Sequence, residues 1–235
     1  MQNDDDTTNS DAYRHIVDYG NSVLSHLEAV RGRPVQPPRR EELIGRHDAQ
    51  FVVDSLRSHE GQRISYKFRR TPASVKSLDD LKKAYISELK WSEVHRGHVL
   101  VVRTVALPRD MRPSGDDAIL TIVEDELGSV HRLRVYNYPA GKARNLGDLL
   151  PSGVVLAIKE PYCEAATEDL SGIRVDHPSD LVYLSEGSAL FPTGWKYALD
   201  NPAVSPSEGL KEEGNLLFKA QKFRQAILKC VLCNF

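Results

Sequence analysis

Apolar side chains first recur at helical spacing. Tyr13, Ile16, Val17, Val23, Leu24, Leu27 and Val30 form one stripe between Asp11 and the neighbourhood of Gly32, the period of an amphipathic helix. The ten residues before it, MQNDDDTTNS, hold nothing apolar beyond Met1, and a disordered tail is expected there. RGRPVQPPRR (31–40) ends the stripe, because adjacent prolines fix an extended backbone and remove donors. A second helix is predicted over Arg40–Ser58, with Ile44, Phe51, Val52 and Leu56 towards one side.

The period changes after His98. Val99–Leu107 is rich in β-branched residues, Ala118–Glu124 follows the Pro108, Pro113 and Gly115 punctuation, and Val130–Tyr138 alternates. In that last run Leu133, Val135 and Asn137 oppose Arg132, Arg134, Tyr136 and Tyr138, which reads as a strand with two unlike faces. Residues 124–128, EDELG, predict a hairpin turn. A short helix over Ala143–Leu150 comes next, then strands over Val154–Ala165 and Ile173–Leu184, the latter broken at His177–Ser179. Three strands, a helix and two strands is the order of an OB-like, five-stranded barrel, in which closure removes the exposed sheet edges. Another small barrel or a sandwich is the runner-up.

Near the end, Leu210, Gly214, Leu217, Phe223 and Ala226, with Ile227, describe two short helices packed face to face. Gly214 and Ala226 are small where the helices approach, and 220–222, AQK, marks the turn. The spacing resembles a tetratricopeptide repeat, a unit of about 34 residues of which roughly three are needed for stability. Less than one fits before Phe235, so a truncated array is expected.

The sequence therefore predicts an α+β chain. Its expected parts are a disordered tail (1–10), helical arms and a basic linker (11–90), an OB-like β-barrel (91–190), a linker (191–206) and a partial repeat (207–235) forming a TPR-like helical hairpin.

Composition adds less than charge distribution. A formal net charge of -2 singles out no partner. Residues 57–90 carry nine Lys/Arg against four Asp/Glu, which reads as a solvated linker more readily than as an anion contact around Lys67, Arg69 and Arg70. Residues 99–186 carry nine Lys/Arg against fourteen Asp/Glu, and an acidic barrel repels phosphate. Three cysteines at 163, 230 and 233 make no disulfide framework, and the acidic N-terminus lacks the pattern of a secretory signal. An intracellular location, cytoplasmic or nuclear, with no membrane span, is expected.

Read in order, HRGHVLVVRT (95–104), TIVEDE (121–126), LRVYNYP (133–139), AIKEPY (157–162), RVDHPSD (174–180) and KEEGN (211–215) resemble the N-terminal part of fungal proteins that join an OB-like region to tetratricopeptide repeats and a SET domain. The likeness covers about residues 80–230. It implies that a full-length relative is a protein-lysine methyltransferase using S-adenosylmethionine. The Asn-His-x-Cys cofactor motif and the late tyrosine-bearing catalytic segment of that module do not occur in this sequence, so no cofactor and no catalytic residue is expected within it. Some repeats of this kind grip carboxylate tails of chaperones through a Lys and an Asn four residues apart. Lys211 and Asn215 match that pair, and the spacing puts them on one helix face.

Other chemistry is weaker. Arg132, Arg134, Tyr136 and Tyr138 are the candidates for stacking and pairing with single-stranded nucleic acid, against the negative balance of the barrel. Cys230 and Cys233 are half of a zinc motif, and His95 and His98 precede a strand with no matching carboxylate, so no metal is expected. Asp176, His177 and Ser179 lie too close in sequence for a triad. The expectation is a non-catalytic interaction scaffold with a protein or peptide partner at the repeat. Nucleic-acid binding is the alternative.

Overall fold

The computed structural model describes residues 5–56, 71–111, 118–137, 150–166, 171–195, 215–216 and 219. The chain is mixed α+β. Among the described residues two helices, α1 (Asp5–Val30) and α2 (Arg40–Leu56), precede ten strands. These are β1 (Lys82–Ala84), β2 (Glu93–Val94), β3 (His98–Thr104), β4 (Arg109–Asp110) and β5 (Ala118–Asp125), followed by β6 (Val130–Tyr136), β7 (Val155–Lys159), β8 (Tyr162–Glu164), β9 (Gly172–Val175) and β10 (Leu181–Tyr183).

The two helices fall where the periodicity puts them, although α1 begins at Asp5, inside the tract expected to be disordered. None of its described side chains is fully buried, and Gly20, Val23, Leu27 and Val30 form its half-buried edge. Gly32 then turns the chain at φ +72°, a conformation that favours glycine. The next residues run beside Leu89–Trp91, with Val35 N–H donating to Leu89 O at 2.8 Å and Trp91 N–H to Arg33 O at 3.0 Å. Helix α2 docks through Leu43, which packs with Ala106, Ile122 and Val130.

The strands form one sheet in the order β10-β7-β3-β5-β6-β9-β8-β2, with β1 beside β3 and β4 beside β5. The order runs from one free end to another, so the sheet is open and the closed five-stranded barrel is corrected. One physical cause lies between β7 and β8, expected as a single strand over Val154–Ala165. Glu160 adopts φ +45° and Pro161 follows it, so the ladder stops and the chain turns. The break expected at His177–Ser179 is a 3-10 turn at Pro178–Asp180. The turn between β5 and β6 stands as expected: Asp125 Oδ1 accepts from Leu127 N–H at 3.0 Å and Ser129 N–H at 2.9 Å, and Gly128 takes φ +81°. The short strands β1, β2 and β4 were not expected. Residues 143–149 of the predicted short helix lie outside the described residues.

Strands β3 and β7 are apolar on both faces because both are covered. Leu100, Val102, Leu156 and Ile158 face the main core. Val99, Val101, Val155 and Ala157 face a second cluster, closed by Leu184, Leu190, Phe191 and Trp195. Cys163 is fully buried, and burial pushes its thiol well above the ordinary value. Since the thiolate is the reactive form, Cys163 is expected to stay unmodified by iodoacetamide in the folded chain and to label fully in urea, as read by peptide mass spectrometry.

Candidate functional site

Alternation along β6 sends Leu133 and Val135 into the main core and Arg132, Arg134 and Tyr136 to the other face. That second face is largely covered as well, with Arg132 and Arg134 buried and Tyr136 half-buried. Arg134 is 1% exposed. Its Nη2 donates to Glu164 Oε2, and its Nη1 donates to Tyr136 Oη at 3.2 Å. Its Nε is buried without a hydrogen-bond partner. Glu164 also accepts from Arg174 Nη1 at 2.7 Å, and Arg174 Nε donates to Asp176 Oδ1 at 2.7 Å. The Arg174 guanidinium lies 4.8 Å from the Tyr136 ring centroid, within cation–π range. Asp176 Oδ2 accepts from Thr71 N–H and Thr71 Oγ1 at 2.7 and 2.9 Å, and His177 Nε2 donates to Thr71 O at 2.8 Å.

This network engages the sequence candidates on β6. A guanidinium committed to a buried carboxylate cannot pair with phosphate, so Arg134 and Tyr136 are structural. Arg132 is also buried, so neither guanidinium presents an open surface contact to phosphate. Asp176 and His177 hold Thr71 and form no nucleophile relay. His95 Nε2 accepts from Lys90 N–H at 2.8 Å, and its Nδ1–H donates to Pro161 O at 2.9 Å, so both ring nitrogens are engaged away from His98. Asn215 is helical and exposed. Tyr138, Leu210, Lys211, Gly214, Leu217, Phe223, Ala226, Cys230, Cys233 and the basic tract 57–70 lie outside the described residues.

A cavity of about 690 Å³ opens where the helices meet the start of β6. Helix α1 contributes Ser22, Val23 and His26, and Pro38 with Glu42, Leu43 and Arg46 comes from α2 and its approach. The sheet side supplies Trp91, His131, Arg132, Ala166 and Ser171. Its size is that of a small-molecule site, roughly 300–1,000 Å³ in general. Trp91 meets His131 edge to face, ring centroids 5.5 Å apart and planes at 78°. Glu42 and Arg46 pair with each other at 2.8 Å. Ser171 Oγ accepts from Ala166 N–H and donates to Ala166 O, both at 3.0 Å.

His131 is the distinctive group. It is 3% exposed, and burial, reinforced by the charges of Arg132 and Arg134, lowers its pKa to about 4, so the ring is neutral near pH 7. Its Nδ1 accepts from Arg132 N–H at 2.9 Å. A neutral imidazole has one donor and one acceptor nitrogen, so the proton sits on Nε2, which has no hydrogen-bond partner among the described residues. Sequence reasoning passed over both Trp91 and His131. A histidine at the head of a strand next to two arginines reads as polar surface, and only the fold shows that helices cover it.

The lowered pKa has a thermodynamic sign. Between about pH 6.5 and 4 the unfolded chain binds a proton at residue 131 that the folded chain refuses. Stability is therefore lost as pH falls through that window, by about 1.4 kcal/mol per pH unit and about 2 kcal/mol by pH 5. Urea midpoints at pH 7 and pH 5 should show this drop, and His131→Gln should flatten it. An equal drop in the variant would place the proton uptake elsewhere.

Among the described residues no helix is long and apolar enough to cross a membrane, and no group of three or more His, Cys, Asp or Glu side chains is placed to hold a metal ion. No family model matches the chain. A protein of Gibberella zeae named as a methyltransferase is 26% identical over 156 residues, which cover 66% of this chain and 21% of that protein. The chain thus spans about a fifth of the length of that curated relative. The expectation of a non-catalytic scaffold, with no enzyme activity attached, is corrected by this likeness to a protein that carries an enzyme's name.

Proposed function

We infer that the chain works as part of a methyl-transferring enzyme and that the cavity between the helices and β6 is where a substrate touches it. The likeness to the Gibberella zeae methyltransferase carries this reading, and a cavity of small-molecule size supports it. The finer assignment, a fungal protein with tetratricopeptide repeats and a SET domain, is part of the proposal. The parallel pair β6/β9, with β7 returning onto β3, supports an OB-like strand order in an open sheet. The repeat reading rests on the sequence spacing of residues 207–235, where Lys211 and Asn215 would meet a peptide partner.

The methyl donor does not belong to the cavity. S-adenosylmethionine carries a sulfonium cation, and Glu42, the one carboxylate among the described lining residues, is already paired with Arg46. We place the donor in the remainder of a longer protein and assign no transfer step to residues of this chain. Native protein precipitated from its source with an antibody against the sheet should release S-adenosylhomocysteine when supplied with S-adenosylmethionine and cell extract. Release no greater than in a precipitate made with a non-immune antibody would refute the reading.

A further inference from the structure

We propose that the cavity binds an uncharged small molecule with an apolar body and one hydrogen-bond acceptor, a carbonyl or ring nitrogen, which meets the His131 Nε2–H. This deepens the substrate role just given to the cavity.

Three observations lead to it. The first is the fixed tautomer of His131, a residue 3% exposed that lines the cavity and whose Nε2–H has no partner among the described residues. Nε2 is not among the buried side-chain atoms left without a partner, so it stays open to solvent, and a ligand that displaces that solvent must bring an acceptor of its own. The second is the pairing of neighbouring polar groups: Glu42 with Arg46 across one turn of α2, a solvent-exposed pair, and Ser171 with the backbone of Ala166. The third is the apolar wall of Val23, Leu43 and Trp91, which rewards buried carbon. An anion placed on Nε2 would draw a second proton onto a ring that its surroundings keep neutral. An uncharged acceptor leaves the ring neutral.

Prodan, an uncharged naphthalene bearing a ketone oxygen, is a probe of this chemistry. Added to the full 235-residue chain, it should bind saturably with blue-shifted emission. Val23→Trp, which fills the cavity from the half-buried edge of α1, should abolish binding while the thermal unfolding curve is retained. His131→Phe, which keeps a ring but removes the donor, should weaken binding about five- to tenfold. Leu127→Ala, at the exposed β5/β6 turn, should bind like the parent and so report non-specific adsorption.

Absence of saturable binding would mean that the cavity holds solvent only and would overturn the proposal. So would undiminished binding to folded Val23→Trp. Unchanged affinity in His131→Phe would overturn the assigned acceptor chemistry, and a raised His131 pKa on binding, followed by imidazole NMR, would do the same. No methyl donor is present in these measurements, so their failure and a failure of methyl transfer are separately visible.

Discussion

Replacing Glu164 by alanine should destabilise the sheet by about 3–5 kcal/mol, the usual cost of breaking a buried ion pair from one side. For a chain of this size that corresponds to a melting temperature roughly 6 to 20 °C lower, measurable by circular dichroism. Two guanidiniums lean on this carboxylate, and they do not suffer equally. Arg174 retains Asp176 and the Tyr136 ring. Arg134 is left with Tyr136 Oη alone, its Nε already buried without a partner. Arg134→Met combined with Glu164→Leu should recover most of the loss, since apolar replacement of a buried pair is often neutral. A single Glu164→Ala variant as stable as the parent would show that the network is not sealed from water.

The second large effect is expected at Gly172, opposite Arg132 in the β6/β9 pair. A Cβ there would lie 2.7 Å from the Arg132 carbonyl oxygen and 3.0 Å from Arg132 Cβ. Backbone cannot rotate aside as a side chain does, so Gly172→Ala must push the two strands apart, at about 1–3 kcal/mol. The displacement falls next to His131, Arg132 and Ser171 in the cavity lining, so Prodan binding should be lost along with stability. A melting curve and dye titration matching the parent would mean that β9 yields to a methyl group without cost.

Much of the fold was legible because local rules acted alone. The Pro37-Pro38 pair separated the helices, Gly128 marked the hairpin, and Pro178 broke the last strand. What escaped was the destination of the polar face. Alternation along 130–138 correctly opposes Leu133 and Val135 to Arg132 and Arg134, but a period of two separates the faces of a sheet without saying which of them is wet. The same gap touches the charge argument, although Arg109, Arg132, Arg134 and Arg174 are buried as well and the remaining balance stays acidic. Glu124, Asp125, Glu164, Asp176 and Asp180 all count towards an acidic balance for 99–186, yet each is buried. Glu124 is met by Arg40 and Arg103, Asp125 by backbone donors, and Asp180 by Ser74 N–H. A formal sum over sequence measured the interior as though it were surface. Closure failed for a local reason: a left-handed Glu160 before Pro161 is invisible to a scan for apolar runs, and it divides one strand into two.

The shallow seating of α1 has a thermodynamic corollary. Its described side chains reach no deeper than half-buried, while Ser22, Val23 and His26 form one wall of the cavity. A molecule that occupies the cavity must then strengthen the attachment of the helix by the free energy of its own binding. At a hundredfold excess over Kd that is about 2.7 kcal/mol, enough to slow amide exchange along the whole amino-terminal helix. The helix is thereby a built-in gauge of occupancy.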